Sequence, residues 1–336
     1  MRTIPFLKVH GSENEFLLID EKRLDKPLQE LRKADLAKLL CSRESGIGAD
    51  GILFVTIFDE KESVDGRMEI FNADGSKASM CGNGLRVAGR YIMEKLRKNK
   101  VVVRTEMADL QVSLNPINGS SIPFYQVEIS PVSFSPKSLP MNIELNEVIQ
   151  QPLPFLSDDY QFSALSVPNP HLIARVSAKQ MNRQELERIG HMVNSPNHWF
   201  PDGVNISFIY FVKEGEMIIQ TFERGVGITN ACGTAMAAAS VVSCKCGWHT
   251  YNEPMTMYNN GGFCITIPQM EENRIWVDLI GNATFLFFGE VNVSSDFNKL
   301  VNWSILKEYE QEEKEYVKIK REAKDKIFQT FGRTEL

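Results

Sequence analysis

Apolar and polar residues alternate, or form short apolar runs, along most of the chain, and both patterns are typical of β-strands. Strands are predicted at 4–9, 16–20, 52–57, 67–71, 101–104, 110–114, 124–129, 162–167, 204–212, 217–222, 262–267, 274–279 and 284–293. Helices are predicted at 28–41, 86–96, 184–193 and 231–242. The last of these is nearly all small and apolar, which indicates a helix buried on every side and enclosed by a sheet.

The C-terminal segment has a different pattern. Tyr309, Tyr316 and Ala323 are spaced seven residues apart, which predicts an amphipathic helix of about six turns at 305–328. We expect this helix to dock on its own chain. Contact with a partner, or with a second copy in a homodimer, is the alternative.

Two segments of the chain resemble each other at an offset of about 150 residues. Met80-Cys81-Gly82-Asn83-Gly84 recurs in altered form as Ala231-Cys232-Gly233-Thr234-Ala235. An asparagine, an Asp-Gly pair and a phenylalanine precede each cysteine in the same order: Asn14, Asp50-Gly51 and Phe71 in the first half, and Asn169, Asp202-Gly203 and Phe222 in the second. The offsets are 67, 31 and 10 residues before Cys81, and 63, 30 and 10 before Cys232. We infer two homologous halves, each contributing one cysteine to a shared cleft.

Each of these cysteines stands at the start of a predicted helix. The N–H groups of a first helical turn have no partner within the helix, and the positive end of the helix dipole favours a thiolate. The same N–H groups can bind a carboxylate. Gly82-Asn83 and Gly233-Thr234 can direct such groups at an anion. Two thiols of this kind predict acid–base chemistry on an anionic substrate.

Composition and charge narrow the class of function. The 336 residues suit two domains, and the net charge of −6 gives no electrostatic reason to expect nucleic acid. The sequence shows neither a metal nor a nucleotide motif, and neither a signal-peptide core nor an apolar run of membrane-spanning length. We therefore expect a cytoplasmic protein that binds a small molecule and neither nucleic acid, membrane nor metal.

Prolines interrupt polar sequence between 131 and 154, which places a domain boundary near 131. The predicted domains are 1–130, which carries Cys81, and 131–293, which carries Cys232 and whose last strand could pack on the first domain. The helical extension occupies 294–336.

The other four cysteines do not form a disulfide pattern. Cys244 and Cys246 are separated by a single residue, and no C-x-x-C motif occurs. Together with Cys41 and Cys264 they are predicted to be reduced, packed and inert.

Seven motifs, in order along residues 1 to about 290, resemble those of the diaminopimelate epimerase family, whose members epimerise an amino acid without pyridoxal phosphate. They are Gly11-Ser12-Glu13-Asn14-Glu15-Phe16, Gly46-Ile47-Gly48-Ala49-Asp50-Gly51, Asn72-Ala73-Asp74-Gly75-Ser76, the Cys81 motif, Pro168-Asn169-Pro170-His171, Gly203-Val204-Asn205, and Glu223-Arg224-Gly225-Val226-Gly227 with the Cys232 motif. The fold implied by the resemblance is α/β, with two pseudo-symmetric domains. Each domain is a curved, mostly antiparallel sheet wrapped around a central helix, and the C-terminal helical extension is added to them.

The resemblance also implies roles for individual residues. Cys81 and Cys232 correspond to the acid–base pair, no cofactor is required, and Arg224 corresponds to the group that pairs with a distal carboxylate. The other substrate contacts implied are Asn14, Asn72, Asn169, Asn205, His171 and Glu223, with the helix-start residues Gly82, Asn83, Gly233 and Thr234. Ile228 and Ala235 depart from the family, whose members often have Glu and Gly at these positions.

Three functions remain open from the sequence. The first, implied by the resemblance, is conversion of LL-2,6-diaminopimelate to the meso form in lysine and peptidoglycan synthesis. The second is a racemase that uses the same cysteines on another amino acid, such as histidine. The third is a non-catalytic redox switch in which Cys81 and Cys232 form a disulfide. Exchange of the substrate α-proton would separate the first two from the third.

Overall fold

The computed structural model describes residues 1–59, 62–78, 80–116, 122–272, 274–333 and 336. This part of the chain divides into two compact units. Unit 1 comprises Met1–Val127 and Gly281–Val317, and unit 2 comprises Glu128–Ile280 and Lys318–Leu336. Each unit is therefore built from two separate pieces of the chain.

The first half of the chain contains eight strands and two helices in its described residues, besides a short 3-10 turn at Glu21–Arg23. In chain order they are β1 (Arg2–Gly11), β2 (Asn14–Asp20), α1 (Glu30–Cys41), β3 (Gly51–Ile57), β4 (Gly66–Asn72), β5 (Lys77–Ala78), α2 (Gly82–Leu96), β6 (Lys100–Arg104), β7 (Asp109–Leu114) and β8 (Phe124–Ile129).

A second 3-10 turn, at Pro136–Ser138, leads into the remaining elements. They are β9 (Gln151–Leu153), β10 (Ser157–Ser166), β11 (Pro170–Arg175), α3 (Arg183–Asn194), β12 (Asn205–Lys213), β13 (Glu216–Glu223), β14 (Gly227–Thr229), α4 (Gly233–Lys245), β15 (Met255–Asn259), β16 (Gly262–Glu271), β17 (Arg274–Asn282), β18 (Thr284–Val293), β19 (Leu300–Glu308) and α5 (Glu310–Phe331).

In unit 1 the main strands are hydrogen-bonded in the order β19, β18, β1, β2, β3, β4, β6, β7 and β8. Only the pairs β2–β3 and β4–β6 are parallel. Parallel neighbours need a crossover connection, and α1 and α2 provide these two crossovers. Helix α2 contacts strands β1, β2, β3, β4, β6 and β7 and is buried over its first twelve residues. It is therefore the central helix of unit 1.

Unit 2 repeats this arrangement. Its main strands follow the order β10, β11, β12, β13, β15, β16 and β17, with β11–β12 and β13–β15 as parallel pairs. Helices α3 and α4 provide the two crossovers. Helix α4 contacts β10, β11, β12 and β16 and is buried from its first residue to Cys244. The predicted α/β fold of two repeated halves, each with a central helix in a mostly antiparallel sheet, is confirmed.

Several strands were not predicted from the sequence. They are β5, β9, β11, β14, β15 and β19, of which three have only two or three residues. Strand β11 matters for function because it begins within Pro168-Asn169-Pro170-His171, whose prolines indicate a turn. A proline at the first residue of a strand is compatible with pairing, and the five residues after it are paired in parallel with β12.

The prediction of a helix at 305–328 is wrong over its first residues. Residues up to Glu308 belong to β19, and α5 begins at Glu310. The reason is pairing with β18, in which Gly289 lies opposite Ile305 and Phe288 opposite Lys307. The hydrogen bonds between β18 and β19 therefore outweigh the helical spacing of the apolar residues in this segment.

From Glu310 onwards the helix docks on the chain itself, as expected. Its buried residues are Tyr316, Ile319, Ala323 and Ile327, which follow the three- and four-residue spacing of one helical face. In unit 1 the Tyr316 ring lies 4.4 Å from the His10 ring. In unit 2 Ala323 and Ile327 belong to a buried apolar cluster.

The compact units differ from the predicted domains at the C-terminal end. Residues 281–317 join unit 1 because β18 pairs with β1 along its whole length, from Arg2 opposite Val293 to His10 opposite Thr284. Residues 294–336 are therefore divided between the units. A compact unit need not coincide with a repeated half, so the ranges 1–130, 131–293 and 294–336 stay a prediction. No helix in the described residues has the length and apolar character of a membrane span.

An ion pair in unit 1 joins α5 to α2. The Arg90 side chain is only 7% exposed, and its Nη1 and Nη2 atoms lie 2.5 and 2.7 Å from the two carboxylate oxygens of Glu312. The Arg90 guanidinium carbon also lies 3.7 Å from the ring centroid of Phe285. Burial alone lowers the pKa of Arg90, but the hydrogen bond and charge of Glu312 more than offset this effect and raise it.

We expect Glu312→Ala to lower the free energy of unfolding by about 3 kcal/mol, because it leaves a buried guanidinium without its bidentate carboxylate. Glu310→Ala is the matched control, since the Glu310–Lys314 pair on the same helix is well exposed and exposed pairs contribute little to stability. Urea unfolding of both variants measures the difference. Equal losses would contradict a special role for the buried pair.

Candidate active site

Cys81 is the N-cap residue of α2. It has extended backbone angles of φ −150° and ψ 113° and is followed by the first helical residue, Gly82. Its Sγ accepts a hydrogen bond from the N–H of Gly84 at 3.5 Å, so the thiol occupies the place that Ser or Asp commonly takes at a helix start. The cysteine is partly exposed. The predicted position at the mouth of the central helix is thus observed.

Two asparagines of unit 1 are hydrogen-bonded around this thiol. The Cys81 Sγ donates to Asn14 Oδ1 at 3.5 Å, and Asn83 Nδ2 donates to the same oxygen at 3.4 Å. Asn83 is in turn held by Arg86, whose Nη2 donates to Asn83 Oδ1 at 2.9 Å. Cys81, Asn14 and Asn83 therefore form one hydrogen-bonded group.

Arg86 supports this group and was missed from the sequence. It is fully buried, and besides Asn83 it donates to Ser12 Oγ at 3.1 Å and, through Nε, to the Asn282 carbonyl at 3.1 Å. An arginine on a helix usually has a solvated side chain. The buried hydrogen-bond partners of Arg86 come from distant parts of the chain. No local signal in the sequence could have identified it.

Asn72 ends β4 and begins the turn that leads towards Cys81. Its backbone N–H donates to the Ser76 carbonyl at 2.8 Å, and its Nδ2 donates to Ser76 Oγ at 2.9 Å. In the β3–β4 ladder it lies opposite Gly51, next to Asp50. The structure therefore places Asn72 beside a residue that contacts Asn14, and no direct hydrogen bond to Asn14 or Cys81 is found among the described residues.

Cys232 is the N-cap residue of α4, with φ −123° and ψ 111°. It is more buried than Cys81, and its Sγ lies 3.5 Å from Thr234 Oγ1. Burial and then the neighbouring Glu223 carboxylate raise the pKa of the Cys232 thiol well above its usual value, and the hydrogen bond with Thr234 opposes this effect. Burial and the Glu223 carboxylate therefore favour the thiol of Cys232 over its thiolate.

Glu223 and Arg224 end β13. Thr229 Oγ1 donates to Glu223 Oε1 at 2.5 Å, which fixes the carboxylate near Cys232. The Arg224 backbone N–H donates to Asn205 Oδ1 at 2.8 Å, and its Nη1 donates to the Asp202 carbonyl at 2.8 Å. The Arg224 side chain is exposed, and in the described part of the chain its other guanidinium N–H groups form no hydrogen bond. They are available for an anion.

His171 lies at the start of β11, directly opposite Asn205 in the β11–β12 ladder. Its Nε2 is 2.9 Å from Asn169 Oδ1, and its Nδ1 has no hydrogen-bond partner among the described residues. The side chain is completely buried, and burial, followed by the charge of Arg224, lowers its pKa to about 3. His171 is therefore neutral at physiological pH.

The structure thus collects the predicted residues into two groups, one in each unit. The group in unit 1 contains Asn14, Asn72, Cys81, Gly82 and Asn83. The group in unit 2 contains Asn169, His171, Asn205, Glu223, Arg224, Cys232, Gly233 and Thr234. Ile228, one of the two departures from the family, packs against an apolar cluster, and Ala235 is buried in the first turn of α4.

The other cysteines are free thiols. Cys41, Cys244 and Cys264 are buried, as predicted, whereas Cys246 is only partly buried. Burial raises the pKa of both Cys41 and Cys244 to about 12, so these thiols are not reactive nucleophiles. Within the described residues no cluster of His, Cys, Asp and Glu has the arrangement of a metal site.

The low pKa of His171 predicts how stability depends on pH. An unfolded histidine titrates near 6.5, whereas His171 in the folded protein titrates near 3. Between these pH values the histidine is protonated in the unfolded chain but not in the folded protein. The free energy of unfolding is therefore unaffected by this group above about pH 6.5. It falls by about 1.4 kcal/mol per pH unit as the pH drops towards 3.

We expect His171→Gln to make the free energy of unfolding less dependent on pH, by the slope that corresponds to one proton. Urea unfolding between pH 4.5 and 7 measures the slope, and the exposed His191 on α3, changed to Gln, is the control. Identical slopes for wild type and His171→Gln would show that His171 is not held neutral.

Comparison with solved structures shows which class of fold this is. A phenazine biosynthesis protein of the PhzF family from Bacillus anthracis aligns with a TM-score of 0.62 at 16% identity, covering 87% of this chain and 100% of that one. A hydroxyproline epimerase from Agrobacterium vitis aligns with a TM-score of 0.56 at 12% identity, covering 92% and 93%. The duplicated α/β fold is thus shared with this PhzF-family protein and with this hydroxyproline epimerase.

Sequence comparison then identifies the family. The diaminopimelate epimerase family model matches residues 6–133 and 163–286. A diaminopimelate epimerase from Listeria monocytogenes serovar 1/2a is 43% identical over 97% of this chain and 98% of the relative. One from Enterococcus faecalis is 42% identical, over 87% of this chain and 90% of the relative. The chain belongs to the diaminopimelate epimerase family.

Proposed function

We propose that this protein converts LL-2,6-diaminopimelate to the meso form, as an isomerase that serves lysine and peptidoglycan synthesis. The observation that carries the proposal is the duplicated N-cap cysteine, one on each central helix, in a chain that is 43% identical over 97% of its length to a diaminopimelate epimerase. No cofactor is needed for the chemistry proposed below.

Inversion of a carbon centre requires removal of a proton from one face and delivery of a proton to the other. Two acid–base groups can do this without turning the substrate. We propose Cys81 and Cys232 as these groups, one acting as a thiolate and the other as a thiol, with the roles exchanged in the reverse reaction. Support comes from the position of Cys81, where the Gly84 N–H can stabilise negative charge on sulfur. Further support comes from Cys232, where burial and then the Glu223 carboxylate favour the protonated form.

The difficult step is the build-up of negative charge on the carbon beside the substrate carboxylate. Helix N-termini provide N–H groups and a positive dipole for such an anion. The first residues of the two central helices, Gly82 with Asn83 and Gly233 with Thr234, are the proposed donors to the reacting carboxylate. Both helices are buried by their sheets, and low dielectric strengthens the interaction.

Recognition of the second amino-acid end of the substrate is assigned to the β13 turn. Arg224 has guanidinium N–H groups left for a distal carboxylate, and its position is fixed by Asn205 and Asp202. The amides of Asn72, Asn169 and Asn205 are proposed contacts to the substrate. The neutral His171 and the Glu223 carboxylate are proposed to flank the reacting centre, where they set polarity rather than transfer the proton.

We propose that the protein works in the cytoplasm, because its chemistry needs both cysteines reduced and the cytosol keeps thiols in that state. Homodimer formation stays a prediction.

The function is tested by a panel of amino acids that includes LL-diaminopimelate, L-histidine and L-proline, with chiral chromatography of the products and no added cofactor. We expect inversion of diaminopimelate only. Inversion of a different amino acid, with none of diaminopimelate, would favour the racemase alternative, in which no distal carboxylate contacts Arg224. Absence of inversion and of α-proton exchange for every compound would leave the thiol switch as the better explanation.

A further inference from the structure

Asp50 connects two turns of unit 1 that carry proposed substrate contacts. Its backbone N–H donates to the Glu15 carbonyl at 2.9 Å, and its own carbonyl accepts from the Ala73 N–H at 3.0 Å, next to Asn72. Its Oδ2 accepts from the Glu15 N–H at 2.8 Å and from Asn14 Nδ2 at 3.0 Å. A single residue therefore ties the Asn14 turn and the Asn72 turn to the start of β3.

The bond from Asn14 to Asp50 decides which way the Asn14 amide points. A carboxylate only accepts hydrogen bonds, so the NH₂ group of Asn14 must face Asp50. The amide oxygen is then turned towards Cys81 Sγ and Asn83 Nδ2, both of which donate to it. With the opposite orientation, Asn14 would present its NH₂ group to another NH₂ group and its oxygen to a carboxylate.

The same bond leaves one N–H of Asn14 unused by Asp50, because an amide nitrogen carries two hydrogens. That second hydrogen can donate to a substrate carboxylate, while the oxygen accepts from Asn83 Nδ2 and, when Cys81 is protonated, from its Sγ. A single side chain, Asn14, can then position Cys81 and the substrate relative to each other.

Among the described residues, the corresponding aspartate of the repeated half does not form such bonds. Asp202 occupies the equivalent place in the sequence, but its backbone carbonyl accepts from Arg224. The oxygen of Asn169, the counterpart of Asn14, is bonded instead by His171 Nε2. The role of the aspartate side chain is therefore particular to the half with Cys81, and the sequence repeat alone would not have indicated it.

We propose that Asp50 is a positioning residue of the epimerase reaction, which fixes the Asn14 amide so that its oxygen faces Cys81 and one N–H faces the substrate. This inference rests on the proposed function. It predicts that turnover requires an acceptor oxygen on the side chain of residue 50 but does not require a negative charge there. The ion pair of Asp50 Oδ1 with Arg43 Nη2, at 2.9 Å, lies at an exposed guanidinium and is not part of the proposed role.

Two substitutions at this position separate the acceptor from the charge. Asp50→Ala removes the acceptor, so Asn14 loses its orientation, and a misplacement of about 1 Å can lower the rate about 100-fold. Asp50→Asn keeps an oxygen that can accept from both Asn14 Nδ2 and the Glu15 N–H. We expect kcat to fall strongly for Asp50→Ala, with a smaller rise in KM, and to stay within about threefold of wild type for Asp50→Asn.

Glu15→Gln is the matched control. Glu15 forms ion pairs with the same arginine, at 3.1 Å from Arg43 Nη1, and with Lys8 at 3.0 Å. Among the described residues its carboxylate forms no hydrogen bond with Asn14. Near wild-type turnover of this variant would show that loss of a charge from the cluster is tolerated. If Asp50→Asn were as inactive as Asp50→Ala, or if Asp50→Ala were fully active, the proposal would be overturned.

Alkylation of the resting protein distinguishes failure of this proposal from failure of the proposed function, since it needs no substrate. Iodoacetamide labelling of Cys81, followed by peptide mass spectrometry, is expected to change about two- to tenfold in Asp50→Ala, the effect of losing one hydrogen bond. Labelling of Cys81 in Asp50→Asn, and of Cys232 in both variants, is expected to match wild type. An unchanged Cys81 rate in Asp50→Ala would refute the positioning role even if the substrate proves to be another amino acid.

Discussion

Replacement of either Cys81 or Cys232 by serine is expected to lower the rate of diaminopimelate epimerisation by about 10²- to 10⁴-fold, the range that a general acid or base contributes. Serine is close in size to cysteine, and both residues are N-caps, a position that serine favours. The fold should therefore be retained. A hydroxyl does not ionise near neutral pH, so the variant loses proton transfer and little else.

The two cysteine variants should also differ from each other in an informative way. Each keeps one thiol, which can exchange the α-proton on its own face of one stereoisomer without completing inversion. We therefore expect slow exchange with solvent for one isomer in Cys81→Ser and for the other isomer in Cys232→Ser. Cys246→Ser is the control, because Cys246 is a partly buried thiol at the opposite end of α4. Full activity of either active-site variant would contradict the two-thiol mechanism.

Arg224→Lys is expected to have the second largest effect. Lysine keeps the positive charge but loses the planar guanidinium that can grip a carboxylate through two parallel hydrogen bonds. It also loses the bond by which Nη1 is held to the Asp202 carbonyl. The substrate should bind more weakly and the reacting carbon should be misplaced, which can reduce the rate about 100-fold. KM should therefore rise and kcat should fall.

The matched control for this variant is Arg188→Lys. Arg188 is a half-exposed arginine of unit 2 whose partner is Glu185, at 2.6 Å. Its replacement should leave turnover unchanged. Alkylation of Cys81 and Cys232 in resting Arg224→Lys should also be near the wild-type rate, since the helix starts are untouched. Normal diaminopimelate turnover by Arg224→Lys would favour a racemase whose substrate has a single zwitterionic end.

Much of the fold is encoded in local patterns. The two central helices could be predicted because both begin at a cysteine-glycine sequence, and the long strands because their apolar residues alternate or run together. Strand β11 could not, because its first residue is a proline and its pairing partner β12 lies some thirty residues further along. The first residues of the predicted C-terminal helix form a strand because they pair with β18, the strand just before them. The spacing of apolar residues within the segment does not report this pairing.

The candidate site shows a similar division. The cysteines and the residues around them stand in recognisable motifs, and the structure places them at helix starts and strand ends. The support beneath them is not visible in the sequence. Arg86 reaches Asn282, and Asp50 reaches Asn14, through hydrogen bonds between residues that are far apart in the chain. The neutral state of His171 likewise depends on burial, which a motif does not report.

The central claim, that two cysteines invert a diaminopimelate carbon by removing one proton and delivering another, is tested most directly in D₂O. Purified reduced enzyme is incubated with LL-diaminopimelate and no cofactor, and substrate and product are separated and analysed by mass spectrometry at low conversion. The account predicts one deuterium at the inverted carbon of the meso product and little in the recovered LL substrate, because the thiol that delivers the proton is not the one that removed it. Meso product that has gained no deuterium, or equal labelling of substrate and product from the start, would contradict it.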